Sequence, residues 1–241
     1  MKTLSYLHIA GLCMLTLASS ACTNINNTTQ AYQPDEQLDA VLSKYNVNAS
    51  YGIHCQGYQA AVSDCGRLAN ELGALSMSYP QHQKIGFTSA IVYHQVGQKI
   101  DSQMVLDRLL AQQNPMSEVA ILRSQIAMQE GNITLARTVL QRQVQLQPDH
   151  PELHATLAAT YYLEGRYKKA QAVIATADRL GAPVWRTSYH LGLIHEAQSH
   201  WAQACHFYAD TLDSMPDHRQ SLSRLLYLSD HPECRVAYSR I

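Results

Sequence analysis

An all-α solenoid of stacked helix–turn–helix hairpins is the fold this sequence predicts, on three observations. Residue types recur at a fixed interval of 34: Gly131 is followed by Gly165, Ala136 by Ala170 and Ala204, Leu146 by Leu180, Leu157 by Leu191, and Tyr167 by Trp201. The recurring positions are of two kinds. Small ones (Ala136, Ala158, Ala170, Gly192, Ala204) let two helices approach closely, and large ones (Leu157, Tyr161, Tyr167, Trp201) fill the space between hairpins. Gly131 and Gly165 supply turns, where positive φ costs little, and the blocks close near a proline, Pro148, Pro183 or Pro216. A hairpin of this kind cannot bury its faces alone, so stability comes from stacking on its neighbours.

In chain order, residues 1–21 read as a secretory leader: one basic residue (Lys2), an apolar run from Leu4 to Leu17, then small residues before Cys22. The run is short for a membrane span. Ala18-Ser19-Ser20-Ala21-Cys22 resembles the bacterial lipobox, with Ser19 where leucine is most frequent. In that pattern the leader is cut before the cysteine, here Cys22, which then carries the lipid. Several acyl chains anchor firmly where one does not. Thr23 after the cysteine, rather than aspartate, favours the outer membrane under the enterobacterial sorting rule. Residues 22–33, mostly Asn, Thr, Gln and Ala, form a disordered tether with nothing to bury. Fully extended, it would reach about 35 Å.

Pro34, Asp35 and Glu36 start a helix, with acidic groups at the positive end of its dipole, and Leu38, Val41, Leu42 and Tyr45 continue it. A second helix is expected from Tyr58 to Met77, with Leu68, Leu72 and Leu75 on one face and Pro80 beyond its end. Residues 34–82 thus make an N-terminal helical hairpin, a degenerate repeat. Four units follow, at 83–116, 117–150, 151–184 and 185–218. The first is divergent and is found by stepping one period back from Gly131 to Gly97; it has Ser102 where later blocks keep alanine. The second is irregular in its first helix, where Arg123 and Ser124 replace the usual leucine and small residue. The third and fourth are the best formed. Residues 219–241 supply a capping helix and tail, in which Leu222, Leu225, Leu226 and Tyr227 are expected to cover the last hairpin's edge before His231 and Pro232 stop the helix.

These units resemble tetratricopeptide (TPR) repeats. With the leader, the chain looks like a TPR outer-membrane lipoprotein of Gram-negative bacteria, similar to pilus-assembly (pilotin or tight-adherence) TPR lipoproteins. The resemblance implies a non-enzymatic scaffold, lipid-anchored on the periplasmic face of the outer membrane. It would bind a protein partner and assist assembly of a pilus or of a secretin or secretion complex. A second branch of the same group implies an adaptor for peptidoglycan hydrolases or proteases. A third reading, an exported enzyme with a helical accessory domain, leaves only residues 34–82 for the catalytic part.

The resemblance also implies where a partner would sit. The first helix of each TPR hairpin lines the concave side. Carried over by column, this gives Phe87, Ile91 and His94; Ile121, Gln125 and Met128; Glu152, Thr156, Ala159 and Tyr162; and Arg186, Tyr189, His190, Leu193 and Glu196. The set mixes apolar, aromatic and amide groups and suits an extended or helical peptide. The Lys and Asn set with which some TPR proteins grip a C-terminal carboxylate is missing.

Charged residues are 15% of the chain and the formal net charge is −1, which gives no basic face for a nucleic acid. Apart from the leader and Cys22, four cysteines remain: Cys55, Cys65, Cys205 and Cys234. An even number in an oxidising compartment favours disulfides; four cysteines allow three pairings, of which proximity favours Cys55 with Cys65, leaving Cys205 with Cys234. No catalytic site, metal or cofactor is expected. His-Glu-x-x-His, Gly-x-Ser-x-Gly and phosphate-loop motifs are missing. His190, His195, His200 and His206 are spaced by five, five and six, off the three or four that aligns two ligands on a helix.

Overall fold

The computed structural model describes residues 33–45, 47, 53 and 64–238. The chain divides into two units, 1–32 and 33–241, and the described residues all belong to the second. The predicted leader, Cys22 and the tether up to residue 32 lie outside the described residues, as do Cys55 and the first part of the helix expected from Tyr58. Among the described residues the chain is helical, with no strand and no helix long and apolar enough to cross a membrane.

Helix α1 (Pro34–Lys44) starts at a reciprocal cap between Gln33 and Glu36, and α2 (Cys65–Ser78) starts where the Asp64 carboxylate accepts from the Arg67 amide at 2.9 Å. Cys65, at the head of α2, is disulfide-bonded. Four hairpins follow: α3 (Gln83–Gln95) with α4 (Lys99–Leu110), α5 (Ser117–Gln129) with α6 (Ile133–Leu146), α7 (Pro151–Leu163) with α8 (Tyr167–Arg179), and α9 (Val184–Ala197) with α10 (Trp201–Ser214). Each helix packs chiefly on the one before and the one after it, and the first helices α5, α7 and α9 also touch in succession. The core is accordingly a chain of small clusters. Leu38, Leu68, Leu72 and Ile85 bind the N-terminal pair to α3; Ala90, Leu106, Leu109 and Ile126 join the next two hairpins. Leu140, Leu153, Leu157, Ile174 and Ile194 form the largest cluster. Each fully buried aliphatic side chain contributes about 1.5–3 kcal/mol.

One turn closes every hairpin. The amide three residues past the helix end donates to the carbonyl five residues back: Gln98 to Tyr93 at 2.8 Å, Asn132 to Ala127 at 2.8 Å, Arg166 to Tyr161 at 2.9 Å and His200 to His195 at 2.9 Å. This closure requires a left-handed residue just before the donor. Gly97, Gly131 and Gly165 fill that place at φ 84°, 77° and 71°, whereas the fourth hairpin uses Ser199 at φ 59°. A Cβ in this conformation costs about 1–2 kcal/mol. Ser199→Gly is therefore expected to raise stability by about 1 kcal/mol, read as a higher urea midpoint at unchanged slope; an unmoved midpoint would count against strain at this turn.

The irregular positions of the first two hairpins are resolved by polar contacts. Ser102 Oγ donates to the Ala90 carbonyl at 2.8 Å and Ser124 Oγ to that of Ala136 at 3.3 Å, so a hydroxyl takes the place of a methyl and finds a partner on the facing helix. Arg123 is only 6% exposed, and its Nε lies 2.7 Å from Asp107 Oδ1 on α4.

The capping helix α11 (Arg219–Tyr227) corrects one expectation. Ser221, Leu225 and Leu228 face inward, while Leu222 is 38%, Leu226 46% and Tyr227 75% exposed. Residues 221, 225 and 228 form one i, i+4, i+7 stripe, and Leu222 and Leu226 fall about 100° away from it. Beyond α11, a 3-10 turn at Pro232–Cys234 and the short α12 (Arg235–Tyr238) fold back on α10. A disulfide joins Cys234 to Cys205 with Cα atoms 5.4 Å apart, and His231 stacks on Trp201 at 4.6 Å.

Candidate functional site

A cleft of about 310 Å³ runs across the first helices of the last three hairpins and onto the cap. Its wall comes from Gln125 and Met128 late in α5, from Ala155, Thr156 and Ala159 in the middle of α7, and from Trp185, Arg186, Tyr189 and His190 early in α9; His218 and Gln220 complete it at the start of α11. The lining therefore moves toward the N-terminus of each successive helix. The cleft is a diagonal across the repeat rather than a set of columns along it.

The side chains are held from within the array. Thr156 Oγ1 donates to the Glu152 carbonyl at 2.8 Å, which satisfies the hydroxyl in its own helix. The Arg186 guanidinium pairs with the Glu152 carboxylate one period earlier and lies over the Trp185 ring at 4.9 Å. The Tyr189 ring meets His218 edge-on at 4.7 Å, and Trp185 lies 5.5 Å from His218. His218 also caps α11: its Nδ1 accepts from the Ser221 amide at 3.2 Å. Burial, with the Arg186 charge adding to it, holds His190 down at about 4, and burial lowers His218 as well. Both rings are thus uncharged at neutral pH, and Arg186 and Glu152 offset one another.

Seven of the residues expected in the groove are brought together here: Gln125, Met128, Thr156, Ala159, Arg186, Tyr189 and His190. Glu152 contributes through its pair with Arg186 rather than by lining the cleft. Three others stand elsewhere. Glu196 accepts from Tyr208 at 2.5 Å and from Arg224 at 2.9 Å, Leu193 packs into the C-terminal core cluster, and Tyr162 lies against Tyr167 with centroids 6.0 Å apart. Phe87 and Ile121 also pack into core clusters. Trp185, Ala155, His218 and Gln220 were missed. For Gln220 a signal existed, since it continues the 34-residue column of Glu152 and Arg186 into the cap. No residue of α1 or α2 lines the cleft.

The histidine spacing misleads in one respect. The chain reverses at Ser199, so His195 and His200 lie with ring centroids 5.7 Å apart despite being five residues apart. Among the described residues, no group of three His, Cys, Asp or Glu side chains is placed to hold a metal ion.

The family model described as tetratricopeptide repeat matches residues 127–183, from the end of α5 to the residue before α9. A thermophilic TPR protein of Thermus thermophilus superposes with a TM-score of 0.59 at 16% identity, covering 81% of this chain and 98% of its own. The fold is a tetratricopeptide-repeat solenoid. Other TPR-like structures agree. YrrB, described as a TPR protein with an unusual peptide-binding site, gives a TM-score of 0.53 at 15% identity over 80% of this chain and 98% of its own. The Cut9–Hcn1 hetero-tetramer of APC/C gives 0.62 at 15% identity over 87% of this chain and 42% of that one. At these identities the likeness is one of TPR fold. No curated protein matches the sequence. Neither the family match nor these structures indicate a catalytic family.

Proposed function

We propose that this TPR array is a non-enzymatic scaffold that holds a protein partner in the cleft on its first-helix face, at the outer membrane, where it assists assembly of a pilus or secretin complex. The observation that carries the binding part is the cleft itself. It joins side chains from four alternate helices, α5, α7, α9 and α11, into one lined depression that no other part of the described chain fills. The peptide-binding site ascribed to YrrB supports the same use of a TPR surface. The membrane part rests on the leader and on Cys22 as the lipid-bearing residue.

One experiment in cells tests both parts. A photo-crosslinking residue at Gln125, exposed on the rim of the cleft, is expected to capture a pilus or secretin subunit in the envelope. The combined change Arg186→Ala and Tyr189→Ala should abolish capture while the circular dichroism spectrum stays helical, and Cys22→Ser should move the protein out of the membrane fraction. Capture of a cell-wall hydrolase instead would replace the pilus reading by the adaptor reading. Unchanged capture in the double variant would remove the site from the cleft. No lipid mass on Cys22 would sink the anchor.

A further inference from the structure

Resting on the cleft as the partner site, its lining also specifies what it takes. The volume of about 310 Å³ is at the small end of ligand pockets, enough for one bulky side chain and too little for a helix. The floor is the small pair Ala155 and Ala159 with Thr156, whose hydroxyl is already bonded to the Glu152 carbonyl. The walls are Trp185, Tyr189 and the thioether of Met128. Such groups give contact area and ring faces rather than a charge. Arg186, the one cation at the site, is held by Glu152 and stacked on Trp185, so recruiting it for an incoming carboxylate would leave the Glu152 carboxylate without its partner. His190 is neutral and provides no second cation. At opposite ends of the cleft stand the exposed amides of Gln125 and Gln220, each able to donate and accept along a peptide main chain.

We infer that the cleft takes a single bulky apolar side chain of the phenylalanine, tryptophan or leucine class from an extended stretch of the partner, with the Gln125 and Gln220 amides on the flanking main chain, and that it rejects acidic side chains and a terminal carboxylate. The apolar ring or branch would lie over Ala155 and Ala159 between Trp185 and Met128. An acidic group in the same place would lose its water and meet no uncommitted cation.

The test uses the full chain and a panel of acetylated, amidated heptapeptides with Gly and Ser flanks. The central residue is Phe, Trp, Leu, Ala, Asp or Lys, and the Phe peptide is also made with a free carboxylate. The readout is the indole N–H resonance of Trp185, with Trp201, the other tryptophan, stacked on His231 away from the cleft as internal reference. Phe, Trp and Leu peptides should shift Trp185 saturably and bind about tenfold or more tighter than the Ala or Asp peptide, the discrimination an apolar pocket of this kind gives. Freeing the carboxylate should not help. Ala159→Leu, which fills the floor from a partly exposed position, should weaken the Phe peptide by a similar factor. A preference for Asp or for the free carboxylate, equal binding across the panel, or no Trp185 shift with any bulky apolar peptide overturns the inference. So does a Trp185 shift that depends on protein concentration alone, which would make a second copy the occupant. Crosslinking from Gln125 that persists beside such a result would keep the scaffold reading and remove only the anchor chemistry.

Discussion

Replacing Gly192 by alanine should destabilise the array by about 2 kcal/mol or more, because overpacking a well-filled core costs about 1–3 kcal/mol and this overlap is severe. A Cβ built on Gly192 lies 2.5 Å from Cε1, 2.7 Å from Cδ1 and 3.1 Å from Cζ of Tyr208. That ring cannot swing aside. It is fully buried on α10, its hydroxyl is bonded to Glu196 at 2.5 Å, and Tyr189 lies against it at 6.1 Å. The new methyl therefore acts on α9 and α10 as whole helices, the pair with the most extensive packing among the described helices. Alanine gains about 1 kcal/mol of helix propensity over glycine, which does not offset an overlap of this depth. Thermal unfolding should fall by roughly 5 °C or more for a chain of this size. Tyr208→Leu in the Gly192→Ala background should recover part of the loss by vacating the ring's space. A Gly192→Ala protein that melts with the parent would show that the two helices are not packed through this contact.

The second large effect is expected from the tail. Removing the Cys205–Cys234 bridge by the double change Cys205→Ala and Cys234→Ala frees a loop whose ends are 29 residues apart in sequence. Chain entropy alone makes such a closure worth about 3–4 kcal/mol. Because repeats couple only to their neighbours, the loss should concentrate at the C-terminal end rather than spread over the array. Amide exchange should accelerate in α11 and α12 and change little in α7. Reductant added to the parent protein should reproduce the change in α11 and α12, together with a separate effect near α2, where it also opens the disulfide of Cys65. Equal urea midpoints for the parent and the double variant would show that the bridge adds nothing to the folded end.

Much of this fold can be read from residue types because a 34-residue period fixes the phase of every column at once. Leu157, Tyr161, Ala170 and Ile174 fall where the period places them, and all are buried. Exceptions arise where a different residue meets the same physical demand. Ser199 adopts the conformation its column reserves for glycine, and Arg123 fills a leucine column by lying against Asp107. The cleft was less legible for a geometric reason. Carrying residues over by column treats successive first helices as copies shifted along one axis. The lining instead passes from late α5 through mid α7 to early α9, so Tyr162 and Glu196, one and two periods after Met128, fall outside it and Trp185 falls inside. The exposed side of α11 was misread because Leu222 and Leu226 share the spacing of a buried stripe but not its phase.

The pair between Glu152 and Arg186 has a mechanical consequence. It ties two consecutive first helices, while Arg137 on α6 ties to Glu164 at the next hairpin's turn at 2.7 Å and Arg224 on α11 ties to Glu196 on α9 at 2.9 Å. Partly exposed pairs of this kind contribute about 0–1 kcal/mol to folding, too little to decide whether the chain folds. A stack of hairpins bends like a spring about its junctions, however, and one kcal/mol is large on the scale of a soft bending mode. The ion pairs thus act as tunable stiffness. Salt that screens them is expected to leave the fold in place while weakening the tie between α7 and α9 beside the cleft.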